Sequence, residues 1–263
     1  MPYLLDHSWE HEHARLSILA QALDPYTIRH LETIGVTTGW RCLEVGGGIG
    51  TIAQWLSQRV GSTGYVLATD LECDFLEAIA SPNLEVRQHN ICIDPLEANC
   101  FDLVHSRAVL EHMPFSARQA AIKNMLSALK PGGWLCIEDG DTITVIPSST
   151  YGQELFTHCV KQFEQFLISK GAVPHYGRMI RNELAAYGLQ HLHAEGALFE
   201  WGGDLPQTAI WVYNYQRLQS QIVAAGLLSA EDVAVFLDLL QTPDFRAFSP
   251  VLMSVWGQKP PIS

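Results

Sequence analysis

The run LEVGGGIGT places glycines at 46, 47, 48 and 50, with Glu44 two residues before the first of them. Glycines between a strand and a helix reach dihedrals closed to other residues and let a ligand touch the main chain. A dinucleotide loop has the spacing G-x-G-x-x-G. Counted from Gly46, its third glycine would fall on Thr51; counted from Gly47, its middle position is Ile49. The loop is therefore G-x-G-x-G. Glu44 would repel a pyrophosphate but suits a ligand carrying an ammonium and a sulfonium. A second acid, Asp70, closes the run GYVLATD, and its two oxygens can accept from two neighbouring hydroxyls. Two histidines stand where a general base is useful near neutral pH, His112 in LEHMP and His175 in VPHYGRM. Metal chemistry has less support. His11 and His13, and His191 and His193, each pair two imidazoles across one residue. On a strand the second pair shares a face, but no third ligand accompanies either pair, so no metal is expected.

Elements that would position these groups alternate along the first half of the chain. WRCLEV, GYVLATD, LEVRQHN, FDLVHSR and WLCIEDGD read as strands. Between them, helical spacing joins Ile52, Trp55, Leu56 and Val60, and later Ile122, Met125, Leu126 and Leu129. DFLEAIA is a short helix, and Ser116 with Gln119 forms a capping-box pattern. The expected fold is α/β: a Rossmann-like, doubly wound, mostly parallel seven-stranded sheet with helical additions at both ends. Ligands bind such sheets beyond the strand C-termini, where strand order reverses. Residues 1–33 read as two helices, the second capped by Asp24 with Pro25 in its first turn. Helices are expected near 151–169 and 177–187, a strand pair at 189–201 and 246–257, and a helical insert over 206–241 capped at Ser229. No linker interrupts the chain. It reads as one domain, 1–263, with a helical lid (1–33), a ligand-binding core (34–145) and a C-terminal part (146–263).

Composition narrows the function. A net charge of −12 without any basic run argues against tracking a phosphate backbone. No apolar stretch reaches the roughly 18 residues a membrane span needs. The six cysteines are dispersed, with no CxxC pair, as in a reduced cytoplasmic protein. The N-terminus lacks the layout of a signal peptide.

LEVGGGIG resembles the first motif of the class I S-adenosylmethionine-dependent methyltransferases, ATD is similar to their acidic second motif, and FDLVHSRAVLEHMP and ALKPGGWLCIED resemble the later ones. The motifs run in register over about residues 38–145, closest to the small-molecule and natural-product members. The resemblance implies S-adenosylmethionine as cofactor, S-adenosylhomocysteine as product, and an O, N or C nucleophile of a small molecule of secondary metabolism as acceptor. It implies that Glu44 organises the methionine end with Gly46 and Gly48 against it, that Asp70 holds the ribose, and that Leu71 lies on the adenine. Asn90, where an aspartate is common, would accept the adenine amino group beside Ile91, and Ser106 and Arg107 would line the methionine pocket through backbone groups. Trp9 and Arg15 would close over the cofactor from the lid, together with Tyr3. His112 is the first expected base and His175 the second. Phe156, Phe163, Phe199, Trp201, Trp211 and Tyr215 would face a flat or apolar acceptor or else pack as ordinary core. Other readings are a methyltransferase-like protein that binds the cofactor without transfer, such as a cyclisation catalyst, and an NAD-dependent oxidoreductase, which Thr51 and Glu44 disfavour. A monomer or a homodimer is expected, with no nucleic-acid or membrane partner.

Overall fold

A computed structural model describes residues 7–79 and 81–261; Tyr3 lies outside them. The N-terminal run forms one helix, α1 (Glu12–Ile34), where two were expected, and Pro25 lies inside it. Proline removes one helical hydrogen bond, but buried Leu23, Thr27, His30, Leu31 and Ile34 carry the helix through. Asp24 caps nothing; its Oδ1 accepts from Arg107 Nη2 at 2.7 Å. Gly35, at φ 93°, ends the helix in the left-handed region.

The α/β alternation follows: β1 (Arg41–Val45), α2 (Thr51–Val60), β2 (Tyr65–Asp70), β3 (Leu84–Gln88), β4 (Phe101–Arg107), α3 (Phe115–Ala128) and β5 (Leu129–Asp141). DFLEAIA gives only a 3-10 turn, Leu76–Ala78. The capping box at Ser116 does not form. Helix α3 begins one residue earlier with Pro114 at its cap and no side-chain cap bond, which puts Ser116 inside the first turn. The second half supplies α4 (Gln153–Ser169), α5 (Ile180–Ala186), β6 (Gln190–Ala197), β7 (Glu200–Gly202), α6 (Ala209–Ala224), α7 (Ala230–Leu240), β8 (Arg246–Phe248) and β9 (Val251–Gln258). Ser229 caps α7 as expected, with Asp232 completing the box.

Seven strands form one sheet in the order β3-β2-β1-β4-β5-β9-β6. Strands β1 to β5 are parallel, and β9 runs antiparallel to both β5 and β6. Strand order reverses between β1 and β4, so the glycine loop after β1 opens at the switch point. Alternation along β1 sends Leu43 and Val45 to a core shared with α3 and α5, and Cys42 to a core shared with α1 and α2. A third core joins α4, α6, α7 and the β7–β8 ribbon. Phe156, Phe163, Trp201, Trp211 and Tyr215 are buried in it, with Phe199 packed at its edge. Tyr215 stacks on Phe163 at 4.7 Å and meets Phe236 at a tilt, with ring centroids 4.5 Å apart. The five buried aromatics therefore hold the helical insert together, and Phe199 stays half-buried at its edge. Among the described residues no helix is long and apolar enough to cross a membrane.

Candidate functional site

The glycine loop is pinned to the tip of β2. Gly46 N–H and Gly47 N–H both donate to Thr69 O, at 2.8 and 3.0 Å, and Gly48 N–H donates to Asp70 Oδ2 at 2.9 Å. Thr69 Oγ1 returns a bond to Glu44 O at 3.0 Å. The glycines have different jobs. A Cβ on Gly46 (φ 73°) would stand 2.3 Å from Val109 Cγ2, so that position lets the turn after β4 pack against the loop. A Cβ on Gly48 (φ 55°) would meet only Leu16 Cδ1, at 3.9 Å. Gly48 therefore borders open space on the ligand side, roofed by α1.

Asp70 Oδ1 accepts from Leu71 N–H at 2.7 Å and Glu72 N–H at 3.4 Å, while Oδ2, which accepts from Gly48 N–H, keeps a lone pair for a further donor. Leu71 is 44% exposed, an apolar surface beside an acid at a strand tip. Sequence reasoning missed the N-terminal contact here. His7 N–H donates to Glu72 Oε2 at 2.5 Å, and its ring stacks on Phe75 at 4.4 Å. The spacing of His7 carries no signal, because only the fold brings it to β2.

Asn90 is less open than expected. Its Oδ1 accepts from Cys92 N–H at 3.0 Å and its own N–H goes to Asp94 Oδ2 at 2.7 Å, a closed local turn. Ile91 is buried in the α3 core, and its carbonyl accepts from Asn124 Nδ2 at 2.7 Å. Ser106 is fully buried at the end of β4. Arg107 turns its side chain to α1, donating to Thr27 Oγ1 at 2.8 Å as well as to Asp24.

Trp9 and Arg15 meet α6. Arg15 grips Glu12 through two bonds, at 2.6 and 3.0 Å, and Arg217 of α6 donates to the same carboxylate at 3.0 Å. The Trp9 ring packs edge-on against Tyr213 at 5.7 Å. These contacts fasten α1 and the residues before it to α6.

His112 ends a 3-10 turn, Leu110–His112, that hangs from β5. Asp139 Oδ1 accepts from Val109 N–H at 3.0 Å and Glu111 N–H at 3.3 Å, while Glu111 Oε2 accepts from Gly140 N–H at 2.6 Å. Burial lowers the His112 pKa; Glu111 opposes this and Arg15 adds to it, with lowering prevailing. The ring is thus neutral near pH 7, able to take a proton. Glu111 Oε1 stands 3.6 Å from its Nε2, placed to stabilise the imidazolium that results. Asp139 itself is pushed well above the ordinary carboxyl range by burial and by Glu111.

His175 lies apart from that turn, beyond the tip of β5. Its Nδ1 is 3.0 Å from Thr142 Oγ1 and 4.0 Å from Asp141 Oδ1. Burial raises the Asp141 pKa, but the Arg178 guanidinium, bound at 2.5 and 2.6 Å, and backbone donors outweigh it and hold the carboxyl low. His175, Thr142 and Arg178, with Ile143, Val160 and Lys161, line a cavity of about 330 Å³ between α4 and the chain that follows β5. The paired histidines go elsewhere. His191 sits at φ 51° where the β6 register shifts, which breaks the shared face, and His193 stacks on Trp256 at 5.6 Å.

Residues 43–137 match the methyltransferase domain family. Methyltransferase str2 of Strobilurus tenacellus is 27% identical over 191 residues, 70% of this chain and 66% of its own length. The ubiquinone/menaquinone biosynthesis C-methyltransferase of Pseudomonas fluorescens is 28% identical over 166 residues, 60% of this chain and 59% of its own. This chain thus spans less than two thirds of either relative's length. The phosphoethanolamine N-methyltransferase 2 of Haemonchus contortus, solved with S-adenosylhomocysteine, shares the fold. Its TM-score is 0.53 at 17% identity, covering 94% of this chain and 52% of that one. Residues 43–137 are thus similar to the methyltransferase domain family, and the chain shares its fold with a solved methyltransferase.

Proposed function

We propose that this chain binds S-adenosylmethionine across the tips of β1 and β2 and moves its methyl group to an O, N or C nucleophile of a small molecule, in secondary metabolism. The observation that carries this is the open face at Gly48, bordered by Asp70 and roofed by Leu16 of α1. A ligand can lie on that backbone with its sugar hydroxyls on a carboxylate, its base on Leu71 and its ammonium toward Glu44. The cofactor, when bound, supplies a methyl group already activated on a sulfonium.

The chain's own part is alignment. Holding acceptor and methyl in line removes roughly 7–11 kcal/mol of entropic barrier in well-oriented systems. Helix α1 roofs the loop, and the Glu12–Arg15–Arg217 contacts hold that roof in place against water. An acceptor in the cavity between α4 and the chain that follows β5 would meet apolar Ile143 and Val160 together with the donors of Thr142, Lys161 and His175. At about 330 Å³ the space lies at the small end of ligand pockets. Where the acceptor arrives protonated, His175 is the base for an acceptor seated in that cavity, and His112, with Glu111 to stabilise its imidazolium, is the base for one lying against the 3-10 turn.

Purified protein, S-adenosylmethionine and a panel of phenols, quinols and amines provide the test. Release of S-adenosylhomocysteine with one acceptor class supports the proposal. Thermal stabilisation by NAD and none by S-adenosylmethionine would remove it.

A further inference from the structure

Beneath the cofactor loop, on the sheet face covered by α1, three neighbouring strands place Glu44, His105 and Glu138 side by side. Glu44 and His105 are direct partners across β1 and β4, and Ser254 is the partner of Glu138 across β5 and β9. His105 Nδ1 lies 2.6 Å from Glu44 Oε2, and its Nε2 lies 3.4 Å from Glu138 Oε2. Glu138 Oε1 is 2.9 Å from His30 Nδ1 and accepts from Ser254 Oγ at 2.7 Å, while Thr27 Oγ1 donates to its Oε2. None of Glu44, His105, Glu138 and His30 is more than 3% exposed.

The chemistry of the ring follows from its partners. Both nitrogens of His105 face ionisable oxygens, and a neutral imidazole can donate from one nitrogen only. Two buried carboxylates also need a compensating cation, since an uncompensated buried charge is costly. Both demands are met by an imidazolium. Burial lowers the His105 pKa, but Glu44 and Glu138 together outweigh it and lift it to about 9. The titratable groups around it are Glu44 on β1, Cys136 and Glu138 on β5, and, across Glu138, His30 on α1 and Arg107 on β4 itself. His105, Cys136 and Glu138 lie close enough to hold an ion. The ring nitrogens, however, are taken by carboxylates, and burial pushes the Cys136 thiol well up, which keeps it protonated.

We propose that His105 is a positioning residue: as an imidazolium between Glu44 and Glu138 it holds the Glu44 side chain aimed at the ammonium of the cofactor's amino-acid end. The far side of the relay is α1. Glu138 holds Thr27 and His30, and Thr27 also receives Arg107. Seating the lid helix and setting the Glu44 grip are thereby one event. The proposal rests on S-adenosylmethionine being the ligand.

Calorimetry with two probes separates the two claims. S-adenosylhomocysteine carries the amino-acid end, and 5′-methylthioadenosine lacks it. His105→Asn, which keeps an amide donor but no charge, is expected to weaken S-adenosylhomocysteine binding at least about tenfold, the scale of one hydrogen bond to a charged group. Binding of 5′-methylthioadenosine should change less than about twofold, since it makes no such bond. Equal losses for both probes, or no loss for either, overturn the role of His105. Wild-type protein that binds neither probe removes the cofactor assignment, and the proposal with it. A measurement on the unaltered chain covers the case of a variant that misfolds. Imidazole nitrogen NMR at pH 7.5 should show one buried histidine with both nitrogens protonated, and neutral rings throughout would overturn the proposal.

Discussion

Replacing Gly48 by alanine separates a glycine kept for folding from a glycine kept for a ligand. Its φ of 55° lies in the left-handed region, where a Cβ costs about 1–2 kcal/mol. The added methyl meets nothing nearer than Leu16 Cδ1 at 3.9 Å, so no packing penalty adds to that strain. For a domain of this size 1 kcal/mol moves Tm by roughly 2–4 °C, and the ligand-free variant should melt roughly 2–8 °C lower. Saturating S-adenosylhomocysteine at about 100 times its Kd should stabilise the wild type by about 2.7 kcal/mol. In Gly48→Ala that increment should vanish, because the methyl stands where the ligand's backbone contact would be. Gly46→Ala is the contrasting control. Its Cβ would stand 2.3 Å from Val109 Cγ2, a stiff β-branched neighbour, so it should lose stability without any ligand present. Thermal melts with and without S-adenosylhomocysteine read both effects. A Gly48→Ala protein stabilised by the ligand as much as the wild type would refute the reasoning, as would a ligand-free collapse as deep as that of Gly46→Ala.

Asp70→Ala should melt within a few degrees of the wild type, since its carboxylate holds surface backbone donors, yet bind S-adenosylhomocysteine at least about tenfold more weakly by calorimetry. His112→Ala should slow transfer about 10²–10⁴-fold at unchanged cofactor affinity if a protonated acceptor lies against the 3-10 turn; full activity in a release assay would take the residue out of the base role. Stability should fall on the alkaline side through His105. Burial lowers its pKa, but Glu44 and Glu138 lift it to about 9, above the ordinary histidine value of 6.5, so the contribution is complete below pH 6.5 and is lost as pH rises to about 9, amounting to about 3 kcal/mol. Denaturant titrations at pH 6 and pH 9.5 measure this, and His105→Asn should flatten the difference. Ser229→Ala removes the α7 capping box far from the cofactor loop and should cost about 1 kcal/mol without changing ligand affinity.

The parallel core was legible because its signals are local. Buried strands end at Asp70 and Arg107, and glycines stand at the first turn, so the loop and the acid at the neighbouring strand tip can be read from residue order alone. The N-terminus misled for a physical reason. Asp24-Pro25 has the chemistry of a helix start, but burial of Leu23, Thr27 and Leu31 on one face outweighs one lost backbone bond. The aromatic density of residues 156–215 was visible while its purpose was not, because a core stripe and a ligand wall share the same spacing. Sequence showed nothing of the Glu44–His105–Glu138–His30 relay. Its members come from four elements separated by up to 108 residues, and only the strand register brings them together.

The most direct test is a crystal structure of the protein with S-adenosylhomocysteine. The ribose hydroxyls should lie on the Asp70 carboxylate, the main chain at Gly48 should touch the ligand, and the amino-acid end should point to Glu44. A ligand bound away from the β1–β4 switch point, or a ribose with no contact to Asp70, would contradict the account.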